Sequence, residues 1–126
     1  MGATILICDD EAVLRELVRA SLAERPHEVL EAASGDEALE LARTRRPDLI
    51  VIDMMMPGRS GLDVVREARA DPILATTPVI LLTARAQAAD RAAAAAAGVD
   101  CFVAKPFSPK TLLEAVDRLL PWRTAA

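Results

Sequence analysis

Five times along this chain a short run of consecutive apolar residues gives way to a stretch whose apolar positions recur at helical spacing. Unbroken apolar runs of four or so residues suit strands covered on both faces, and the intervening pattern suits amphipathic helices. The alternation predicts an α/β fold: a five-stranded parallel sheet, doubly wound, with helices on both faces. Strands are expected at Thr4–Cys8, Glu28–Ala32, Leu49–Ile52, Val79–Leu82 and Cys101–Ala104. The runs Ile5–Cys8, Leu49–Ile52 and Val79–Leu82 carry no polar residue, so these strands are central. Glu28 and Glu31 flank Val29-Leu30 and assign the second strand to an edge.

The helices have recognisable faces and ends. Val13, Leu14, Leu17, Val18 and Leu22 form one expected stripe on helix one, and Leu112, Leu113, Val116, Leu119 and Leu120 another on helix five. Ser34-Gly35-Asp36-Glu37 has capping-box spacing for helix two. Ser108-Pro109 supplies an N-cap and a first-turn proline for helix five, which Pro121 is expected to end. Six consecutive alanines, Ala92 to Ala97, favour helix but offer little side-chain area, so helix four should be held less firmly than its neighbours. With 126 residues, 52% of them hydrophobic, the chain reads as a single domain over 1–126 that needs no disulfide or metal staple. Its core spans about 4–120, with 121–126 a tail or the start of a linker.

Composition excludes several classes. A net charge of -4 gives no basic excess for a phosphate backbone, so direct nucleic-acid binding is not expected. No apolar stretch nears the roughly 20 residues that span a bilayer, and Met1-Gly2-Ala3-Thr4 lacks the basic start of a signal peptide. Leu6 stands where a myristoylation signal wants Ser or Thr. Cys8 and Cys101 each lie in an apolar run, with no CxxC pair, and His27 is the sole histidine. The expectation is a cytoplasmic protein without a soft-ligand metal site.

In an open parallel sheet all strand C-termini lie along one edge, where ligands bind. That edge would gather Asp9 and Asp10 after the first strand, Asp53 after the third, Thr83 after the fourth and Lys105 after the fifth. Three crowded carboxylates repel unless a cation offsets them. Oxygen-only donors with room for water and a phosphoryl oxygen favour Mg²⁺. Magnesium beside carboxylates points to phosphoryl transfer, in which a lysine and a hydroxyl can stabilise phosphoryl oxygens. Singly, each residue has an ordinary role open to it: Asp9 or Asp10 as a helix cap, Asp53 as a turn residue, Thr83 as a cap, Lys105 as a surface charge. Their convergence at four strand ends favours the chemical reading. Lys105 is also one of only two lysines against thirteen arginines.

Asp9-Asp10-Glu11, Asp53 with Met56-Pro57 and Gly61 following, Thr83-Ala84, and Lys105-Pro106-Phe107 together resemble the receiver domain of two-component response regulators. The resemblance spans about residues 4 to 120 and implies a flavodoxin-like sheet of order 2-1-3-4-5, as in chemotaxis regulators. It implies that Asp53 accepts a phosphoryl group from a phosphohistidine on a sensor histidine kinase or histidine phosphotransfer protein. By the same resemblance Asp10 would bind Mg²⁺ directly and Asp9 largely through water, with the Met55 backbone carbonyl completing the set. Lys105 would pair with the phosphoryl group, Thr83 would move to hydrogen-bond it, and Lys105-Pro106 would be cis. Phe102 holds the place of the aromatic switch residue. It lacks a tyrosine hydroxyl, while Met55 and Arg85 flank the pocket where relatives vary.

Phosphorylation would then draw Thr83 inward and let Phe102 rotate in from solvent, altering a surface of helix four, strand five and helix five, roughly Ala86–Ala97, Phe102–Phe107 and Lys110–Arg118. An unidentified downstream protein would read that surface. A helix-one face including Arg15, Arg19 and Leu22 is the expected kinase-docking surface by the same resemblance. Such a protein is no enzyme on other molecules, since it catalyses only its own phosphorylation and dephosphorylation. Two alternatives are a phosphorylation-independent adaptor with a receiver fold and a Mg²⁺-dependent phosphatase acting through an aspartyl intermediate. The phosphatase would want a second acid near Asp53 and a substrate-covering cap, which Met54 to Met56 and the short connections do not supply.

Overall fold

The structure is a computed structural model that describes residues 2–84 and 87–120. The apolar runs become parallel strands: β1 (Thr4–Cys8), β2 (Glu28–Ala32), β3 (Leu49–Asp53), β4 (Val79–Thr83) and β5 (Cys101–Ala104). Between and after them lie α1 (Ala12–Ser21), α2 (Gly35–Arg45), α3 (Gly61–Ala70), α4 (Ala88–Ala97) and α5 (Pro109–Leu119). The sheet order is β2-β1-β3-β4-β5, the doubly wound arrangement the resemblance implied. β3 and β4 are buried along their whole length, as expected of central strands with two covered faces. β2 carries exposed Glu28 and Glu31 at the sheet edge.

Side chains alternate across the sheet into two cores. Leu6, Cys8, Ile50, Ile52 and Leu81 face one side, where α2, α3 and α4 contribute Leu39, Val65, Ala68 and Ala94. Ile5, Ile7, Val51, Ile80 and Leu82 face the other, under Val18 and Leu22 of α1 and its following turn, and Leu112 and Val116 of α5. The register sets Cys8 opposite Ile52, Asp53 opposite Leu82 and Thr83 opposite Ala104, so β1, β3, β4 and β5 end on one line.

Helix ends follow local chemistry with one correction. Ser34 Oγ accepts the Glu37 N–H, but the Glu37 carboxylate accepts from Ala33 N–H rather than from the cap residue. The reciprocal box instead opens α3, where Ser60 and Asp63 cap each other. Ser108 caps α5 with Pro109 in its first turn. A second correction concerns α1. Val13 is 73% exposed and Leu17 40%, while Val18, Ser21 and Leu22 are buried. At about 100° per residue, 14, 18, 21 and 22 cluster on one side, whereas 17 and 13 fall progressively off it. Five apolar positions made a stripe wider than the contact one sheet face offers.

Arg69 ties together the sheet end opposite the strand C-termini. Its guanidinium donates to the carbonyls of Leu74 (3.2 Å), Thr77 (2.8 Å) and Gly98 (3.0 Å) and pairs with Asp100 at 2.8 Å. Arg85, Ala86, the stop at Pro121 and the tail lie outside the described residues. Among the described residues no helix is long and apolar enough to cross a membrane.

Candidate functional site

Because β1 and β3 are neighbours, the residue closing β3 and the residue following β1 meet at the sheet edge. Asp53 is 5% exposed and Asp9 1%, whereas Asp10 is turned outward. One carboxylate oxygen from each of the three lies within 4.8 Å of the others. Asp9 is fixed by its own surroundings: its N–H donates to Ala32 O at 3.1 Å, its Oδ1 accepts Glu11 N–H at 2.9 Å, and Arg15 donates to its carbonyl at 2.7 Å. Asp53 is held by the β3 ladder, continued by Met54 N–H to Leu82 O at 2.8 Å.

Lys105 reaches this edge from β5. Its backbone N–H donates to Thr83 O at 2.7 Å, and the Lys105-Pro106 peptide is cis. Lys105 Nζ makes an ion pair with Asp53 Oδ1 and lies 3.8 Å from Asp9 Oδ2. Thr83 is buried at the end of β4, between the strands that carry Asp53 and Lys105. The five residues expected at the strand ends are therefore brought together. Met55 is exposed on the connection between β3 and α3, and Met56 is buried, its sulfur 3.6 Å from Cys8 Sγ.

Electrostatically the site is short of positive charge. Burial raises the Asp9 carboxyl above its ordinary value, opposed by the Glu11 N–H bond, and nearby Asp53 adds to the rise. Asp9 Oδ2 is buried without a hydrogen-bond partner. One ammonium faces three carboxylates, so an orphaned anionic oxygen and an all-oxygen donor set both fit a hard divalent cation such as Mg²⁺. Asp9, Asp10 and Asp53 are the side chains that could hold it. Cys8, beside them, has its thiol pushed up to about 12, chiefly by burial, so it is a packing residue.

Phe102 on β5 is half-buried, packing against the α2–α3–α4 core rather than lying in solvent, with Arg91 of α4 over its ring. Phe102 also borders a groove of about 470 Å³ between β5 and α5, with Phe107 and Arg118. Leu22 is withdrawn into the core, which removes it from the helix-one face expected from sequence, while Arg15 and Arg19 are paired with Glu31 of β2 and Arg19 remains exposed. Sequence reasoning missed the Arg15 bond to the Asp9 carbonyl and the Arg91 contact. No motif marks either residue, and the target of Arg15 is a backbone oxygen that has no sequence signature.

The fold and this edge define a response regulator receiver domain, and the chain belongs to that family, whose model matches residues 5–117. The phosphate regulon transcriptional regulatory protein PhoB of Pseudomonas aeruginosa is 37% identical over 95% of this chain and 52% of its own length. The transcriptional regulatory protein ResD of Bacillus subtilis is 40% identical over 92% and 47%. The chain thus spans about half the length of the curated relatives it matches. Among solved structures, the chemotaxis protein CheY4 of Vibrio cholerae superposes with a TM-score of 0.90 at 33% identity, covering 95% of this chain and 100% of that one.

Proposed function

We propose that the chain is the phosphoacceptor of a two-component relay, with Asp53 taking a phosphoryl group from a kinase phosphohistidine or a histidine phosphotransfer protein. The observation that carries this is Asp53 at the end of β3, paired with Lys105 and within 4.8 Å of Asp9 and Asp10. Lys105 occupies Oδ1 and leaves Oδ2 as the nucleophile. As Asp53 Oδ2 bonds to phosphorus, the donor's phosphorus–nitrogen bond breaks and the electron pair stays on that nitrogen, so the ring, already protonated on its other nitrogen, leaves as neutral imidazole. Asp53 needs no base because it attacks as the carboxylate. Bound Mg²⁺, held by Asp9, Asp10, Asp53 and the Met55 carbonyl, would neutralise phosphoryl oxygens and offset the carboxylates. Lys105 stabilises the charge that builds on the phosphoryl group, and Thr83 donates its hydroxyl to another oxygen.

In this reading the protein acts only on itself and works in the cytoplasm as a switch. Loss of Thr83 from its resting place repositions Phe102 and, with it, the surface of α4, β5 and α5 that a downstream protein reads. Phosphorylation biases an equilibrium between two arrangements, so the unmodified protein retains a minor active population. Incubation with Mg²⁺ and a small phosphodonor such as acetyl phosphate should add one phosphoryl mass, absent in Asp53→Ala. Labelling that survives Asp53→Ala would refute the assignment.

A further inference from the structure

We infer that Gly61 is a positioning residue for the transfer at Asp53: lacking a Cβ, it lets the first turn of α3 seat on the Asp53 carbonyl and so closes the loop that carries Met55. The inference rests on the phosphoacceptor reading and adds a determinant of its geometry. A Cβ built on Gly61 would fall 2.3 Å from Asp53 O, 3.0 Å from Asp53 C and 3.0 Å from Met54 Cα. All three are backbone atoms. A flexible side-chain tip could swing aside, but β3 is the middle strand and is hydrogen-bonded beyond its end through Met54 N–H to Leu82 O. Any added atom must therefore push α3 away or displace Asp53.

Conformation does not account for this glycine. Gly58 and Gly98 have φ of +75° and +100°, a region that disfavours side chains, whereas Gly61 is not among the positive-φ glycines. Glycine is also a poorer helix former than alanine by up to about 1 kcal/mol. Space remains as the reason. The Gly61 N–H donates to Met54 O at 3.0 Å, closing the turn from Met54 to Gly61, and the Ser60–Asp63 capping box fixes the same helix end. One contact thus sets two parts of the site: where the Asp53 main chain lies relative to Lys105 and Asp9, and the path of the backbone through Met55.

Gly61→Ala should keep the fold and lose the geometry. Mn²⁺ binding, read from the free-ion signal in electron paramagnetic resonance, should weaken about tenfold, as when a group supporting a metal ligand is removed. Acetyl-phosphate labelling should slow about 100-fold, the penalty of an ångström-scale misplacement. Both are measured at a temperature where circular dichroism shows complete folding. Gly98→Ala is the control, because Gly98 has φ of +100° and its Cβ would meet the side chain of Arg69, at 2.9 Å, at the sheet end opposite the strand C-termini. It should lose stability while keeping wild-type Mn²⁺ affinity and labelling. If Gly61→Ala does not fold, the same measurements are made on it in an Arg46→Gly background. Wild-type affinity and rate in folded Gly61→Ala, or equal losses in Gly98→Ala, would overturn the inference. If the wild type binds Mn²⁺ but takes no label, the phosphoacceptor reading fails, and the Mn²⁺ comparison still decides the role of Gly61.

Discussion

The guanidinium carbon of Arg91 lies 4.8 Å from the centroid of the Phe102 ring, joining α4 to β5 across a helix face made largely of alanine. α4 buries only Ala94 and Ala97, so this contact adds a side-chain tie between the helix and the strand of the proposed switch. An exposed cation–π pair contributes about 0.5–1 kcal/mol. Arg91→Ala and Phe102→Leu, alone and combined, should show a coupling of that size in urea unfolding. A coupling indistinguishable from zero would mean that Arg91 does not restrain the ring.

Asp9 gives a pH dependence of definite sign. Its folded-state pKa is raised above the ordinary 3.8, mainly by burial, so the charged form is disfavoured in the folded protein. Its favourable contribution is complete below the unfolded value and is lost as pH rises through the raised one. At neutral pH without divalent ions, the Asp9 charge therefore destabilises the fold. Asp9→Asn, which can still accept the Glu11 N–H, should melt above wild type at pH 7 in EDTA. That advantage should shrink to nothing as pH falls toward 3.8. Saturating Mg²⁺ should reverse the order, since an ion at 100 times its dissociation constant adds about 2.7 kcal/mol to a protein that binds it.

Strand positions and the acidic edge were legible because each depends on local pattern. The apolar run Leu49–Ile52 could only be an interior strand, and parallel topology then dictates where Asp53, Asp9, Thr83 and Lys105 go. The side of α1 that packs was not legible. Leu17 and Val18 are equally apolar, and the seating of the helix against β1 and α5 decides which is covered. Contacts to carbonyls were invisible as well, because every residue carries one. Arg69 shows this most fully: among thirteen arginines nothing in its neighbourhood distinguishes it, yet it gathers three segments.

Arg69→Ala leaves the carbonyls of Thr77 and Gly98 without this donor, takes one of two donors from the Leu74 carbonyl, which also accepts Thr77 N–H, and removes one partner of Asp100, which also accepts Val79 N–H. A loss of about 3 kcal/mol in chemical unfolding is expected from several charge-assisted bonds. Arg69→Lys should recover less than half, since a single ammonium cannot span the fork of donors. Full recovery by lysine would show that charge, not the spread of the guanidinium, holds the junction.

Arg46 ends α2 with φ of 48°, in the left-handed region, its N–H donating to Ala42 O at 3.0 Å. A side chain there costs roughly 1–2 kcal/mol, part of which glycine forfeits through a freer unfolded chain. Arg46→Gly should stabilise the protein by about 0.5–1 kcal/mol and leave the acidic edge unchanged. A lower urea midpoint would show that the exposed arginine side chain makes a compensating contribution.

Lys105 separates charge from shape. Its Nζ is the cation set against Asp53 and Asp9, whose side chains are 7% and 2% exposed, while Lys105 itself retains 19%. Lys105→Met keeps much of the volume and removes the charge. In EDTA the two carboxylates then lack compensation, and stability should fall by about 2–3 kcal/mol, below the full penalty of a sealed pair because the ammonium touches solvent. The same loss leaves the edge more negative, so Mn²⁺ should bind about tenfold more tightly, consistent with removal of a like charge at contact range. Labelling by acetyl phosphate should nevertheless slow by about 100-fold or more, because the charge that develops on the phosphoryl oxygens loses its fixed counter-ion. Tighter ion binding with slower transfer is a combination that general unfolding cannot produce. If Mn²⁺ affinity and labelling fall together, Lys105 serves chiefly to hold the edge in shape, and the stabilising role assigned to its charge is wrong.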